Sequence, residues 1–446
     1  MTSASKSTAP LHIGIVGGGM LGLTLAYRLS QYNVKVTILE AAEKAGGLAS
    51  TWQVGELEWE RYYHVTMLSD QNLRALLQEL DLEQDIHWQV TRTHFYTGKA
   101  MYPLNNVVDY LSLPVLNLLD KCRLALNILY GSRIEDGSEL EKVTARQWLS
   151  KISGKNTYQK LWRPLLRAKL GDNADKASAA FIWSVIRRFY AARRGGLKTE
   201  MFGYVPGGYQ RVIDALTQKL QSRQVRIITS AKVESILATS DHLTVQCGEK
   251  HDQFDQVINT CAGALVSQMC PQLTASEKQQ HTDIVYQGIV CASVVLNRPL
   301  AGAYLTYITD ESSPFTAVIE MTSLVDPASF KGQHLVYLPK YVPSDDAVFA
   351  LSDQQIEQQF SQALLAMYPD LKQSDIQAFK LARTRHVVAL STLNYSACLP
   401  PVETSIKGLY VLNSAQILNA SLSVEETVKL ANQGAELFCQ QWALSK

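Results

Sequence analysis

Apolar positions recur along the chain with two different periods. Near the start, Ile13, Ile15 and Val16 form a short buried-strand pattern that runs into glycines. Leu23, Leu25, Ala26 and Leu29 then repeat at helical spacing, and Val34, Val36, Ile38 and Leu39 make a second strand that ends in Glu40. The order strand, glycine loop, helix, strand predicts one βαβ unit. Residues 70–202 read as mostly helical. Leu73, Leu76, Leu77, Leu80 and Leu82 share one face, and further helices are expected at 107–113, 120–130 and 178–194. A helix over 212–220, a strand over 225–228, a hairpin-like region opening at 232–236 and a strand over 254–260 follow. From about 284 to 399 strand signals dominate, at 289–296, 303–308, 316–320 and 334–338. A last strand near 409–412 precedes a helix that continues through Leu430 to Phe438.

The chemistry of the first unit is specific. In Gly17-Gly18-Gly19-Met20-Leu21-Gly22, Gly17 permits the tight turn, Gly19 lets a pyrophosphate approach the backbone, and Gly22 lets the helix pack on the strand. The N–H groups at the helix start would face phosphates. Glu40 lies about 20 residues further on, where a carboxylate accepts the ribose hydroxyls and disfavours a 2′-phosphate. Taken together, strand, loop, helix, second strand and acid point to a dinucleotide.

Composition narrows the classes. The chain has 446 residues, 46% hydrophobic and 19% charged, enough for two or three globular units. Lys and Arg number 42 against 41 Asp and Glu, a net charge of +1, so no nucleic-acid partner is expected. Seven cysteines, an odd number without CxxC spacing, argue against a zinc cage or a secreted disulfide framework, and no metal is expected. Reduced thiols and a cytoplasmic protein are the plain reading. The first ten residues read as a short polar leader. The 11–25 stretch is interrupted by glycines and does not read as a signal peptide. The apolar region 107–130 holds Asp109, Asp120, Lys121 and Arg123 and should not span a bilayer.

Past Glu40, Lys44, Gly46, Gly47 and Leu48 complete a pattern that resembles the large FAD superfamily of amine oxidases, protoporphyrinogen oxidases, carotenoid desaturases and UDP-galactopyranose mutases. The match runs through Gly17, Gly19, Gly22, Ala26, Leu29, Val36, Glu40, Gly46 and Gly47. Two positions depart: Asn33 stands where glycine is usual, and Lys44 where arginine is common, which keeps the charge but loses the bidentate fork. The likeness continues at 60–64, which in such proteins passes close to the flavin, at 161–166 and 169–171, and at the Pro206-Gly207-Gly208 turn.

The resemblance implies FAD as cofactor, held by Gly17, Gly19, Met20, Leu21, Gly22, Glu40, Lys44, Gly46, Gly47 and Leu48. It adds the backbone of Val233 at the adenine, Asn413-Ser414 where Gly-Asp is usual, and Ser423 and Val424 at the start of a helix aimed at the flavin. Glu425 and Glu426 are expected to face away from it. It further implies an α/β fold: a discontinuous Rossmann-like FAD-binding domain (10–70, 203–265, 405–446) with a helical cap (71–202) and an antiparallel-sheet substrate domain (266–404).

Candidate catalytic residues are His64, Glu320 and Tyr341, with Tyr337 as a further lining group. The plainer readings are a structurally bonded histidine and ordinary strand residues, with the carboxylate at the surface. Arg187, Arg188, Arg193 and Arg194, with Arg163, Arg167 and Lys169, either recognise an anionic substrate or form a solvated face. The apolar helices either pack a core or touch a membrane peripherally. The expected activity is an FAD-dependent oxidoreductase taking a hydride from a C–H or C–N bond of a small organic, anionic substrate. Alternatives are a non-redox flavoenzyme resembling UDP-galactopyranose mutase and a flavin-binding partner subunit without turnover. Oligomeric state is not legible.

Overall fold

The computed structural model describes residues 10–105, 107–193, 201–418, 420 and 422–445. Three separate stretches of chain build one parallel sheet, in the order Arg226–Ile228, Val34–Leu39, Leu11–Val16, Gln256–Asn259 and Leu409–Val411. Covered on both faces, its central strands are nearly all apolar, as a parallel sheet requires. The helix Met20–Leu29 buries every side chain but Arg28 and packs against the last helix, Val424–Gln441. Ile13, Ile15, Leu23, Leu25 and Phe438 are inaccessible to solvent in the shared core. Residues 235–254 form a three-stranded antiparallel meander that branches from this sheet.

A second, seven-stranded sheet has the order Ile376–Ala389, Tyr286–Leu296, His334–Pro343, Ala317–Glu320, Leu305–Ile308, Thr93–Tyr96 and Met101–Pro103. Tyr286–Leu296 is buried along its whole length. One face packs under the helix Asp353–Met367, the other against the hairpin Thr51–Val54/Leu57–Glu60.

Two features differ from the sequence pattern. The stretch 71–202 is not helical throughout. His87–Val90 pairs with Met201–Tyr204, and Thr93–Tyr96 runs parallel to Leu305–Ile308, stitching the cap to the second sheet. Phe95, in the strand that pairs with Leu305–Ile308, is fully buried. The helix Asp353–Met367 interrupts the strand-rich region, opened by a capping box of Ser352 and Gln355.

The remaining cap is a cluster of helices, among them Leu118–Arg133, Ala145–Ser153, Arg163–Leu170 and Ala179–Arg193, around Trp148, Trp162, Phe181 and Trp183. Among the described residues no helix is long and apolar enough to cross a membrane.

A Cβ at Gly22 would collide with the carbonyl oxygen of Gly17 and press on Ile15 at 3.3 Å. The obstacle is backbone, so it cannot swing aside. Gly22→Ala is expected to cost about 1–3 kcal/mol; an unchanged denaturant midpoint would show that the helix is free to lift from the strand.

Candidate functional site

The site begins where the first strand stops. Gly17 turns with φ +107° and its N–H donates to Leu39 O at 2.8 Å, so the loop is tied to the end of the second strand. Glu40 follows immediately. Its Oε2 accepts from Gly18 N–H at 2.6 Å and its Oε1 from Ala42 N–H at 2.8 Å. Each carboxylate oxygen keeps a free lone pair, which a diol can use.

The second glycine pair closes on the first. Gly46 N–H donates to Gly18 O at 2.8 Å, Gly19 and Gly46 form a parallel bridge, and a Cβ on Gly47 would stand 2.9 Å from Gly19 Cα. The result is a floor of bare backbone at the start of the helix Met20–Leu29, the chemistry a pyrophosphate needs. Met20 and Leu21 turn into the core and Leu48 is half-buried beside the loop. These residues fit FAD.

Ala231 N–H donates to Glu40 O at 2.8 Å, which brings the segment leading to the buried Val233 against the same strand end. Asn413 is buried and fully engaged. Its Nδ2 donates to Cys261 O at 2.7 Å and its Oδ1 accepts from Ala415 N–H at 2.9 Å, so it locks its own turn to the neighbouring strand end. Ser414 is half-buried. Ser423 caps the last helix through Glu426 N–H at 3.3 Å, which places Val424 at its first turn. Glu425 turns away and accepts from the N–H groups of Asn72 and Leu73 at 3.2 and 2.7 Å, capping the helix Gln71–Glu79. Glu426 pairs with Lys429 at 3.6 Å. Lys44 also points elsewhere: it meets Glu58 at 3.2 Å in a solvent-exposed pair.

A second group of polar side chains lies at the seam between hairpin, cap and second sheet. Glu60 is only 2% exposed. Its Oε1 accepts from Tyr209 N–H at 2.7 Å at the start of the helix Gly208–Ser222, and its backbone carbonyl accepts from Tyr337 Oη at 2.6 Å. His64 Nδ1 stands 3.5 Å from Glu60 Oε2, with its ring 5.1 Å from that of Tyr209. A void of about 10 Å³, roughly one water, adjoins both.

Next along the chain from His64, Tyr63 Oη lies 2.8 Å from Tyr341 Oη, and Lys169 Nζ donates to Tyr341 Oη at 3.0 Å. Burial pushes both phenols above their ordinary range, although the Lys169 charge opposes this at Tyr63, so both remain protonated donors at neutral pH. On the far side of Tyr341 is a cleft of about 250 Å³ lined by Arg167, Gly171, Asp310, Glu311 and Lys340.

Tyr341 meets Tyr63, whereas His64, the chain neighbour of Tyr63, meets Glu60 and Tyr209. Glu320 is held apart in a structural task. It is buried, not at the surface, and its two oxygens accept from Leu300 and Gly302 N–H at 2.8 and 2.9 Å. Burial raises its pKa and those N–H bonds oppose the rise. Tyr337 likewise spends its hydroxyl on Glu60.

The basic cluster disperses. Arg163 and Arg167 meet Glu311 at 3.1 and 3.8 Å, and Arg167 also meets Asp172 at 3.0 Å. Arg188 meets the buried Asp70 at 3.3 Å, and Arg187 lies over Trp183. Arg194 and the side chain of Arg193 lie outside the described residues. Lys169 was read from the sequence only as one of the basic group, and Glu60 and Tyr63 only as part of the 60–64 segment; none was given an individual role. Among the described residues no group of three His, Cys, Asp or Glu could hold a metal.

Replacing Glu40 with alanine is expected to leave the fold intact and lower the FAD content of the purified protein, read by absorbance and chromatography of the released chromophore. Full occupancy in Glu40→Ala would remove the carboxylate from the cofactor site.

Comparison with known proteins agrees with this layout. The family described as flavin containing amine oxidoreductase matches residues 21–412. The mitochondrial protoporphyrinogen oxidase of Nicotiana tabacum is 21% identical over 271 residues, covering 53% of this chain and 53% of that protein, so the chain spans about half the length of this relative. An oxidoreductase from Methanosarcina mazei superposes with a TM-score of 0.74 at 17% identity, covering 96% of this chain and 100% of the other. A reduced UDP-galactopyranose mutase gives 0.71 at 14% identity over 97% and 94%. At such identities the solved structures establish the fold alone.

Proposed function

The chain belongs to the flavin containing amine oxidoreductase family, with FAD as its cofactor, and from that membership we propose an oxidoreductase that takes a hydride from a C–H bond of a small organic substrate, including a C–H next to nitrogen whose C–N bond becomes C=N. The observation that supports it most is the convergence of two glycine loops and Glu40 at the ends of the parallel strands. Bound FAD supplies the hydride acceptor.

The chain's own groups do the rest. The two glycine loops and Glu40 hold the cofactor, and the Ser423-capped helix presents its N–H end toward it. Glu60, fixed by Tyr209 N–H and Tyr337, stands with Oε2 3.5 Å from His64 Nδ1. The imidazole can then accept the proton that leaves a substrate N–H or O–H as the C–H hydride is lost. The packed phenols of Tyr63, Tyr337 and Tyr341 line the seam and limit access of water. No side chain has to act as a nucleophile.

The purified protein is expected to be yellow, to release FAD, and to bleach without oxygen when its substrate is added. A colourless protein that does not take up added FAD would refute the enzyme reading. His64→Ala is expected to slow bleaching about a hundredfold or more, the usual scale for a positioned acid or base; an unchanged rate would remove His64 from the reaction.

The outer face of the cap supports a proposal about partners as well. Val108, Leu118, Leu119 and Leu126 are each more than 60% exposed, and Leu111, Leu129 and Tyr130 are exposed beside them. Asp120 and Lys121 of the same helix are buried, so its solvent face carries only Arg123 and Arg133 as charges. A helix face that is apolar and whose exposed charges are cations suits the surface of an anionic bilayer. The protein is expected to float with phosphatidylserine-containing vesicles, and the double variant Leu118→Glu/Leu126→Glu to stay behind. Equal flotation of the two, or a concentration-dependent dimer lost in that variant without lipid binding, would overturn the proposal.

A further inference from the structure

Of the basic residues grouped in the sequence, the described arginines are satisfied: Arg163, Arg167 and Arg188 by carboxylates, Arg187 by the Glu135 carbonyl and the Trp183 ring. Lys169 differs. It is exposed, and among the described residues its ammonium has no carboxylate partner. It lies 4.1 Å from the centre of the Tyr341 ring and donates to the Tyr341 hydroxyl at 3.0 Å.

Counting donors shows what is missing there. Tyr341 Oη and Tyr63 Oη are 2.8 Å apart and share one proton, so one phenol proton of the pair is left over. A third phenol, Tyr304, is 3% exposed, its hydroxyl has no partner among the described residues, and it lies within electrostatic range of both Tyr63 and Tyr341. Lys169 keeps further N–H groups. Four elements contribute: the helix Arg163–Leu170, the strand His334–Pro343, the segment before Thr66–Met67 and the residue before the strand Leu305–Ile308. They bring together a cation and spare O–H donors.

We propose that Lys169, Tyr63, Tyr341 and Tyr304 form an oxyanion-binding site that holds a carboxylate or phosphate of the substrate. Such a group offers acceptor lone pairs to each spare donor and a charge to the ammonium. The inference rests on the flavoenzyme reading and deepens it: the substrate is an anion, and its charged end is fixed at the cap side of the seam.

The test is calorimetric titration of the FAD-loaded protein with benzoate, phenyl phosphate and uncharged benzamide. One of the two anions is expected to bind at millimolar concentration or better. Lys169→Met should weaken it about tenfold or more, as for a lost charged hydrogen bond, Lys169→Arg should recover most of the loss, and Tyr63→Phe should weaken it several-fold. Benzamide should not distinguish the variants. Stronger binding of benzoate marks a carboxylate substrate, and stronger binding of phenyl phosphate a phosphorylated one. No binding of either anion to the wild type, or affinities within twofold in Lys169→Met, would overturn the site. Flavin absorbance of the same samples separates the two claims. Full FAD with no anion response defeats this inference alone, whereas protein that cannot be loaded with FAD defeats the enzyme reading.

Discussion

The molecule depends on one close approach of backbone to backbone. Gly17 and Gly22 touch across the first turn of the helix, and Gly46 and Gly47 lie directly on Gly18 and Gly19. A side chain at Gly22 would separate the helix from the strand, and one at Gly47 would press the second loop off the first. Because they hold, the end of the parallel sheet is a surface of unshielded N–H groups with one carboxylate, Glu40, at its edge. The rest of the chain is arranged around that edge. It leaves the sheet after Leu39, returns at Arg226–Ile228 and Gln256–Asn259, leaves again, and returns at Leu409–Val411. The hairpin, the cap and the second sheet are therefore excursions from one side of a single core, and the seam between them lies next to the cofactor end.

That seam must bury polar groups, and the protein does so by giving most of them fixed partners. Tyr337 spends its hydroxyl on the Glu60 carbonyl, Tyr62 on Thr384 at 2.6 Å, and Glu60 on the N-terminal turn of the helix Gly208–Ser222. A buried hydroxyl or carboxylate left unbonded costs on the order of 1–3 kcal/mol. Among the buried atoms without a partner, those of Tyr304, His64 and Glu60 lie at this seam, where a ligand or water could complete them. The same logic separates Glu320 from this group, since a carboxylate with both oxygens on loop N–H groups has its partners already.

How much of this the sequence disclosed follows from the range of the interactions. The βαβ unit was legible because its glycines, helix face and acid fall within 30 residues and each has one steric meaning. Glu425 was legible as facing away, yet its task, capping the helix Gln71–Glu79 across the fold, was not. The strands 87–103 are short, and their partners lie at residues 201–204 and 305–308, so local pattern competed with a helical neighbourhood. The helix at 353–367 left a local sign in Ser352 and Gln355 that the surrounding strand signals masked. The basic cluster could not be sorted at all from spacing. Glu311, which pairs with Arg163, and Asp70, which pairs with Arg188, are more than a hundred residues away in sequence.

The pair Asn413-Ser414 shows how one substitution is absorbed by the structure. In the usual Gly-Asp the acid would stand at position 414, where this chain has the half-buried Ser414, and glycine at 413, where it has the buried Asn413. The Asn413 amide uses both ends: its N–H₂ group ties the Cys261 carbonyl, and its oxygen closes the turn at Ala415. The strand ends are therefore cross-linked without a second charge. Glu40 is left as the carboxylate at this edge, and the glycine backbone carries most of the recognition of the phosphates. The loss of the usual Gly-Asp is in this way a shift of work from charge to backbone, consistent with a retained cofactor site.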